Sequence, residues 1–193
     1  MRMKFLFADF THFAISIPSK TSKNQRVSKL DPPDSHHLDA AIGWLGLGCV
    51  PDARDELENI SLLNQSHPEA LEARWVVCAH DEKWSEALEI ARLELQCAPA
   101  DPSGWLHQAY AMRRVADGGL SAAWDALLPA AEKFPDEPII AYNLACYACQ
   151  MQQLDAARVW LKRAIKIGGK DAIQKTALAD DDLKPLWPEI EEL

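Results

Sequence analysis

Residues 138–161 read PIIAYNLACYACQMQQLDAARVWL, and this stretch decides the fold because its landmarks recur along the chain. Ala157 stands four places before Leu161. Ala53, Ala87 and Ala123 likewise stand four places before Leu57, Ala91 and Leu127, so the four alanines are spaced by 34, 36 and 34 residues. Upstream, Ala145 has counterparts in Ala41 and Ala109, and Pro99 and Pro135 each follow their alanine by twelve residues. A period of this length marks stacked supersecondary units. Each unit holds two amphipathic stretches of about 11–14 residues, too short to be stable alone. Small residues allow two helices to approach closely, while proline ends one helix or opens the next at its first turn. Stacking three or more such units buries a continuous core.

The pattern resembles the tetratricopeptide repeat, with Trp105 four places before Ala109, then Ala123, Leu127 and Pro135 in the later slots. The resemblance covers residues 34–171 and implies an all-α, right-handed solenoid of about four helix-turn-helix units, 34–67, 68–101, 102–137 and 138–171. Unit three is two residues longer, and Ala116-Asp117-Gly118-Gly119 is a natural place for the extra length. Trp75 occupies the small-residue slot of the second unit, so that unit either packs differently or shifts by two residues onto Ala73. Residues 172–193 read as a capping helix followed by an acidic tail, with one aspartate of Asp180-Asp181-Asp182 capping a short final turn.

Composition narrows the function. At 193 residues, 48% hydrophobic and 25% charged, the chain has the make-up of one ordinary globular domain. Residues 1–33 carry six basic residues against two acids, a net +4, and read as a poorly ordered basic arm. The overall charge of −9 then leaves −13 on the body, which repels phosphate backbones and disfavours nucleic acid. No apolar run reaches the roughly 20 residues of a membrane span. The opening Met1-Arg2-Met3-Lys4-Phe5-Leu6-Phe7-Ala8 starts like a secretory signal, but Asp9 and His12 interrupt it and no small-residue cleavage site follows. Five irregularly spaced cysteines suggest free thiols in a reducing compartment, so the expected location is cytoplasmic.

Catalytic signatures are missing: neither GxGxxG, a Walker loop, GxSxG nor HExxH can be written from this chain. The expectation is a non-enzymatic protein with no cofactor and no metal. Cys146 and Cys149, three apart on one helix face, with His107 one unit earlier, carry the rival reading of a metal or thiol-redox site. Yet a structural zinc wants four ligands, and no second Cys-x-x-Cys exists to supply them.

In proteins of this resemblance the first helices of successive units line a concave face that grips a peptide or a helix. The resemblance places Leu38 and Ile42, Glu72 and Val76, Leu106, Tyr110, Arg113 and Arg114, then Tyr142, Cys146 and Cys149 on that face. It implies a protein partner, apolar or amphipathic with an acidic group for the arginine pair. The chaperone-tail clamp of some relatives is not matched by Leu38, Ile42, Ala73, Ser103 and His107. A second binding reading is a chaperone-like holder of hydrophobic cargo, which size and acidity also fit.

Overall fold

The computed structural model describes residues 29–192, and every regular element among them is helical. In chain order these are α1 (Asp34–Gly46), α2 (Val50–Glu58), α3 (Pro68–His80), α4 (Trp84–Cys97), α5 (Ser103–Met112), α6 (Leu120–Leu127), the one-turn α7 (Ala130–Lys133), α8 (Pro138–Gln150), α9 (Leu154–Gly168) and α10 (Lys170–Ala177). A 3-10 turn, Asp181–Leu186, and α11 (Trp187–Glu191) close the described chain. Pro68 and Pro138 open α3 and α8, where the missing N–H has no intrahelical partner to lose.

The period appears in the backbone as well as in the alanines. Between α1 and α2 the Cys49 N–H donates to the Trp44 carbonyl; Lys83 donates to Cys78 and Gln153 to Ala148 in the equivalent turns. The residue before each donor is left-handed: Gly48 at φ 75°, Glu82 at 57° and Gln152 at 63°. In the turn from α5 to α6 the corresponding bond joins Gly119 N–H to the Met112 carbonyl, seven residues apart instead of five, so two extra residues are looped out here. Only glycine fits this turn, because a Cβ on Gly118 would lie 1.8 Å from the Met112 oxygen, and Gly119 takes φ 112°.

Helices pack on their chain neighbours, and α1 also meets α3, α3 meets α5, and α6 meets α8, the near-one-dimensional contact pattern of a repeat array. Ala41, Ala109, Ala145, Ala53, Ala87, Ala123 and Ala157 are all wholly buried at these crossings. Trp75 is wholly buried too. The second unit keeps its register, since Gly48 and Glu82 are 34 residues apart, and it accommodates the indole by stacking it flat on the His107 ring, 3.9 Å away and 8° from parallel. For residues 1–28 the expected basic arm lies outside the described residues. Leu30, in the part that is described, is buried with Leu38, Ala41 and Ile60, so the packed body begins before Asp34 rather than at it.

Candidate binding face

His107 and Tyr110 of α5 and Arg114, in the turn that follows it, stand at i, i+3 and i+7 and lie along one side of the helix end, where Arg114 folds over the Tyr110 ring. Opposite them on α3 stands Trp75, which stacks on His107 and meets the Tyr110 ring edge-on at 5.8 Å. The Arg114 guanidinium lies 3.5 Å from the centre of the Tyr110 ring and 4.9 Å from that of Trp84, and its Nη1 donates to the Tyr110 carbonyl at 3.0 Å. These ring faces attract the cation, while its half-burial lowers its pKa. No carboxylate among the described residues forms an ion pair with it.

Glu72 lies at the other end of the α3–α5 seam. The residue as a whole is exposed, while its carboxyl is partly desolvated. Burial first, and then the neighbouring carboxylates Glu94, Asp101 and Glu69, push its carboxyl up, against an opposing pull from His107. Beneath it, His107 Nδ1 and Glu94 Oε2 are 2.7 Å apart, both residues being buried, and the second Glu94 oxygen is buried without a hydrogen-bond partner among the described residues. Val76 and Tyr110 are half-buried between the acidic and basic ends.

Arg113, although adjacent in sequence, has a different environment. Its guanidinium meets Asp182 through two hydrogen bonds, of 2.5 and 3.1 Å, and sits 5.8 Å from the Tyr147 ring centre. Burial opposes its charge, but the Asp182 bonds outweigh that cost and its pKa is raised. Asp182 belongs to the 3-10 turn, which returns along the chain to lie on α8. There the Tyr142 hydroxyl donates to Asp180 at 2.8 Å, the Cys146 thiol points at the same carboxylate at 3.6 Å, and Gln150 Nε2 donates to the Asp182 carbonyl at 3.0 Å. Asp180 also accepts the Asp182 N–H and so caps the turn. Leu183, Leu186 and Ile190 are buried in one cluster with Tyr142, Ala145, Cys146 and Cys149.

These placements correct the expected groove. Tyr142 and Cys146 are covered by the chain's own C-terminal segment, and Arg113 is already paired by it. Leu38 and Leu106 are buried in hydrophobic clusters, facing neighbouring helices rather than a partner. Ile42 is exposed at 52%, but its neighbour Leu38 lies in the interior. Of the expected set, the structure brings Glu72, Val76, Tyr110 and Arg114 onto one accessible seam and adds Trp84 to it.

The thiol pair does not assemble with His107, which is held by Glu94 and Trp75. Burial pushes both Cys146 and Cys149 thiols up, so each stays protonated near neutrality. Among the described residues no group of three or more His, Cys, Asp or Glu is placed to hold a metal ion. Nor is any described helix long and apolar enough to cross a membrane.

The chain superposes on TTC0263, a thermophilic TPR protein of Thermus thermophilus, with a TM-score of 0.61 at 20% identity, over 83% of this chain and 100% of that one. The chain has the tetratricopeptide fold. Two structures of MamA match as well, one with a TM-score of 0.59 at 19% identity over 82% of this chain and 86% of that one, the other with 0.59 at 17% over 79% and 92%. No protein-family model matches the chain, and no curated protein matches it significantly.

Proposed function

We propose that the protein is a non-enzymatic interaction scaffold that binds a segment of another protein on the α3–α5 seam, with Tyr110 and Arg114 as anchors. The observation that carries this reading is the contrast between two adjacent arginines. Arg113 is paired directly with Asp182, whereas Arg114 is held over two aromatic rings, forms no ion pair with a described carboxylate, and feels Asp182 only at longer range. Leaving a half-buried cation unmatched costs stability, and an incoming acidic group removes that cost. Aromatic and arginine side chains are also the residue types that dominate binding hot spots. Catalysis finds no support in the site, since the buried thiols are held protonated and the His107–Glu94 pair is buried under Trp75.

The partner is a protein; the acidic body argues against nucleic acid. Because Cys49, Cys78, Cys97, Cys146 and Cys149 are all free thiols, we place the protein in a reducing compartment, the cytoplasm. The test starts from partners captured on the full chain and measures binding isotherms with the Tyr110→Ala and Arg114→Gln variants. Each variant should keep its helical circular dichroism and weaken binding by about 2 kcal/mol, roughly thirtyfold. An Ile42→Ala variant should bind as the parent does. Full affinity in both seam variants would refute the assignment.

A further inference from the structure

The seam carries opposite charges at its two ends, and the chemistry of those ends says more about the partner than that it bears an acid. Glu72 has three carboxylates near it, Glu94, Asp101 and Glu69, opposed by His107, which is itself paired with Glu94, and no Lys or Arg among the described residues forms an ion pair with Glu72, Glu69 or Asp101. At the far end no carboxylate among the described residues forms an ion pair with Arg114: the one that reaches it electrostatically, Asp182, is engaged by Arg113. Neither end neutralises the other: the position equivalent to Glu72 one repeat later is 106, eight residues before Arg114. At helical rise that is about 12 Å along the axis, and with the lateral spacing of neighbouring helices the two backbone positions stand about 15 Å apart. Between them the seam is apolar and aromatic, from Val76 to Tyr110.

We infer that the segment bound on this seam is bipolar, presenting a lysine or arginine to Glu72 and a carboxylate to Arg114 with an apolar residue between them. The inference rests on the binding reading above and adds the order of charges. The chain itself supplies a precedent: the adjacent Arg113 is satisfied by a carboxylate delivered from a 3-10 turn whose Leu183 is buried against α8. An extended strand advances about 3.3 Å per residue, so the two charges of the bound segment should lie four or five residues apart. Uncompensated charges also work as a filter. A segment with the charges reversed would set acid against Glu72 and base against Arg114, which is disfavoured at both ends at once.

A random dodecapeptide display library, selected on the full chain at low salt, tests this. Enriched peptides should carry a basic and an acidic residue four or five positions apart, and one such synthetic peptide should lose at least tenfold in affinity on Glu72→Lys or Arg114→Glu. Selection on Arg114→Glu should replace the acid by a base, and the Glu72→Lys/Arg114→Glu pair should prefer the charge-swapped peptide. If Arg114→Glu loses helical signal, Arg114→Gln takes its place, and the acidic preference should then vanish. Peptides that need Tyr110 but show no charge pattern and ignore the reversals would overturn the inference while leaving the seam as the binding face. Peptides indifferent to Tyr110→Ala, or no enrichment at all, would overturn the binding reading itself.

Discussion

Truncating Leu186 to alanine tests whether the C-terminal 3-10 turn is part of the core or a detachable tail. The side chain is 1% exposed and lies among residues of α8, α9 and α10. Removing its three outer carbons forfeits about 2–2.5 kcal/mol of transfer free energy at about 0.8 kcal/mol per methylene. A residual cavity brings such substitutions to about 3–5 kcal/mol in rigid cores. Because this segment ends the array and can settle into part of the gap, the expected loss is about 3 kcal/mol, the lower end of that range. Urea denaturation followed by circular dichroism gives the size of the loss, and the fluorescence difference between the parent and Trp187→Phe reports the segment, since the Trp187 indole N–H donates to the Ala177 carbonyl at 2.9 Å. Repeat arrays open from their ends, so hydrogen exchange along α8 should rise more than along α3. Leu63→Ala, at a residue 94% exposed, is the matched control and should change stability by less than about 0.5 kcal/mol. If both substitutions cost under about 1 kcal/mol, the segment is not packed, and Arg113, Tyr142 and Cys146 belong to the open face after all.

Three further outcomes follow from the same geometry. Ala157→Leu, at a wholly buried crossing, should cost about 1–3 kcal/mol by overpacking, whereas Val159→Leu, 66% exposed on the same helix, should be close to neutral in the same melts. Replacing Glu82 or Gln152 by glycine relieves a left-handed backbone and should raise the urea midpoint, with a net gain of a few tenths to about 1 kcal/mol after glycine's entropic cost; a lower midpoint would contradict the turn geometry. Asp34 accepts hydrogen bonds from the Ser61 hydroxyl, the Asn64 amide and the Ser61 backbone N–H, which together hold its carboxyl below the ordinary value. A folded value below the unfolded one stabilises at pH above the unfolded value, near 4, and that contribution is lost as pH falls through the folded value. The stability gap between the parent and Asp34→Asn should therefore close on acidification below about pH 4, and a gap independent of pH would contradict this role.

The period was legible because alanine is the residue type that a close helix crossing demands, and seven alanines mark those crossings. The left-handed turn position was not, because Glu82 and Gln152 occupy it where Gly48 would have announced it. Trp75 looked like a break in the pattern. What resolves it is His107, whose flat ring stacks on the indole, and a contact between residues 32 positions apart leaves no local trace. The C-terminal segment did leave one: Leu183, Leu186 and Ile190 fall at i, i+3 and i+7, a buried stripe hidden among Asp180, Asp182, Lys184 and Glu189. What no local pattern could convey is where that stripe lands. Its return to α8 depends on α10 turning the chain back, and it determines which of the expected groove residues stay open.

Arg113 and Arg114 make the consequence concrete. Successive residues on a helix point about 100° apart. One guanidinium therefore turns toward Tyr147 and the C-terminal segment, and the other toward Tyr110 and Trp84. Asp182 satisfies the first and also closes the α8 end of the face, which leaves Arg114 as the arginine without an ion-pair partner among the described residues. The same segment that caps the last unit's core thus covers part of the expected groove and leaves the α3–α5 seam open, which is where the proposed binding reading puts the partner. Its two roles are separable, because the apolar stripe carries the capping while Asp182 carries the pairing. On the proposed reading, stability and partner choice vary independently: the first follows Leu183, Leu186 and Ile190, and the second follows Glu72 and Arg114, which have no ion-pair partner among the described residues.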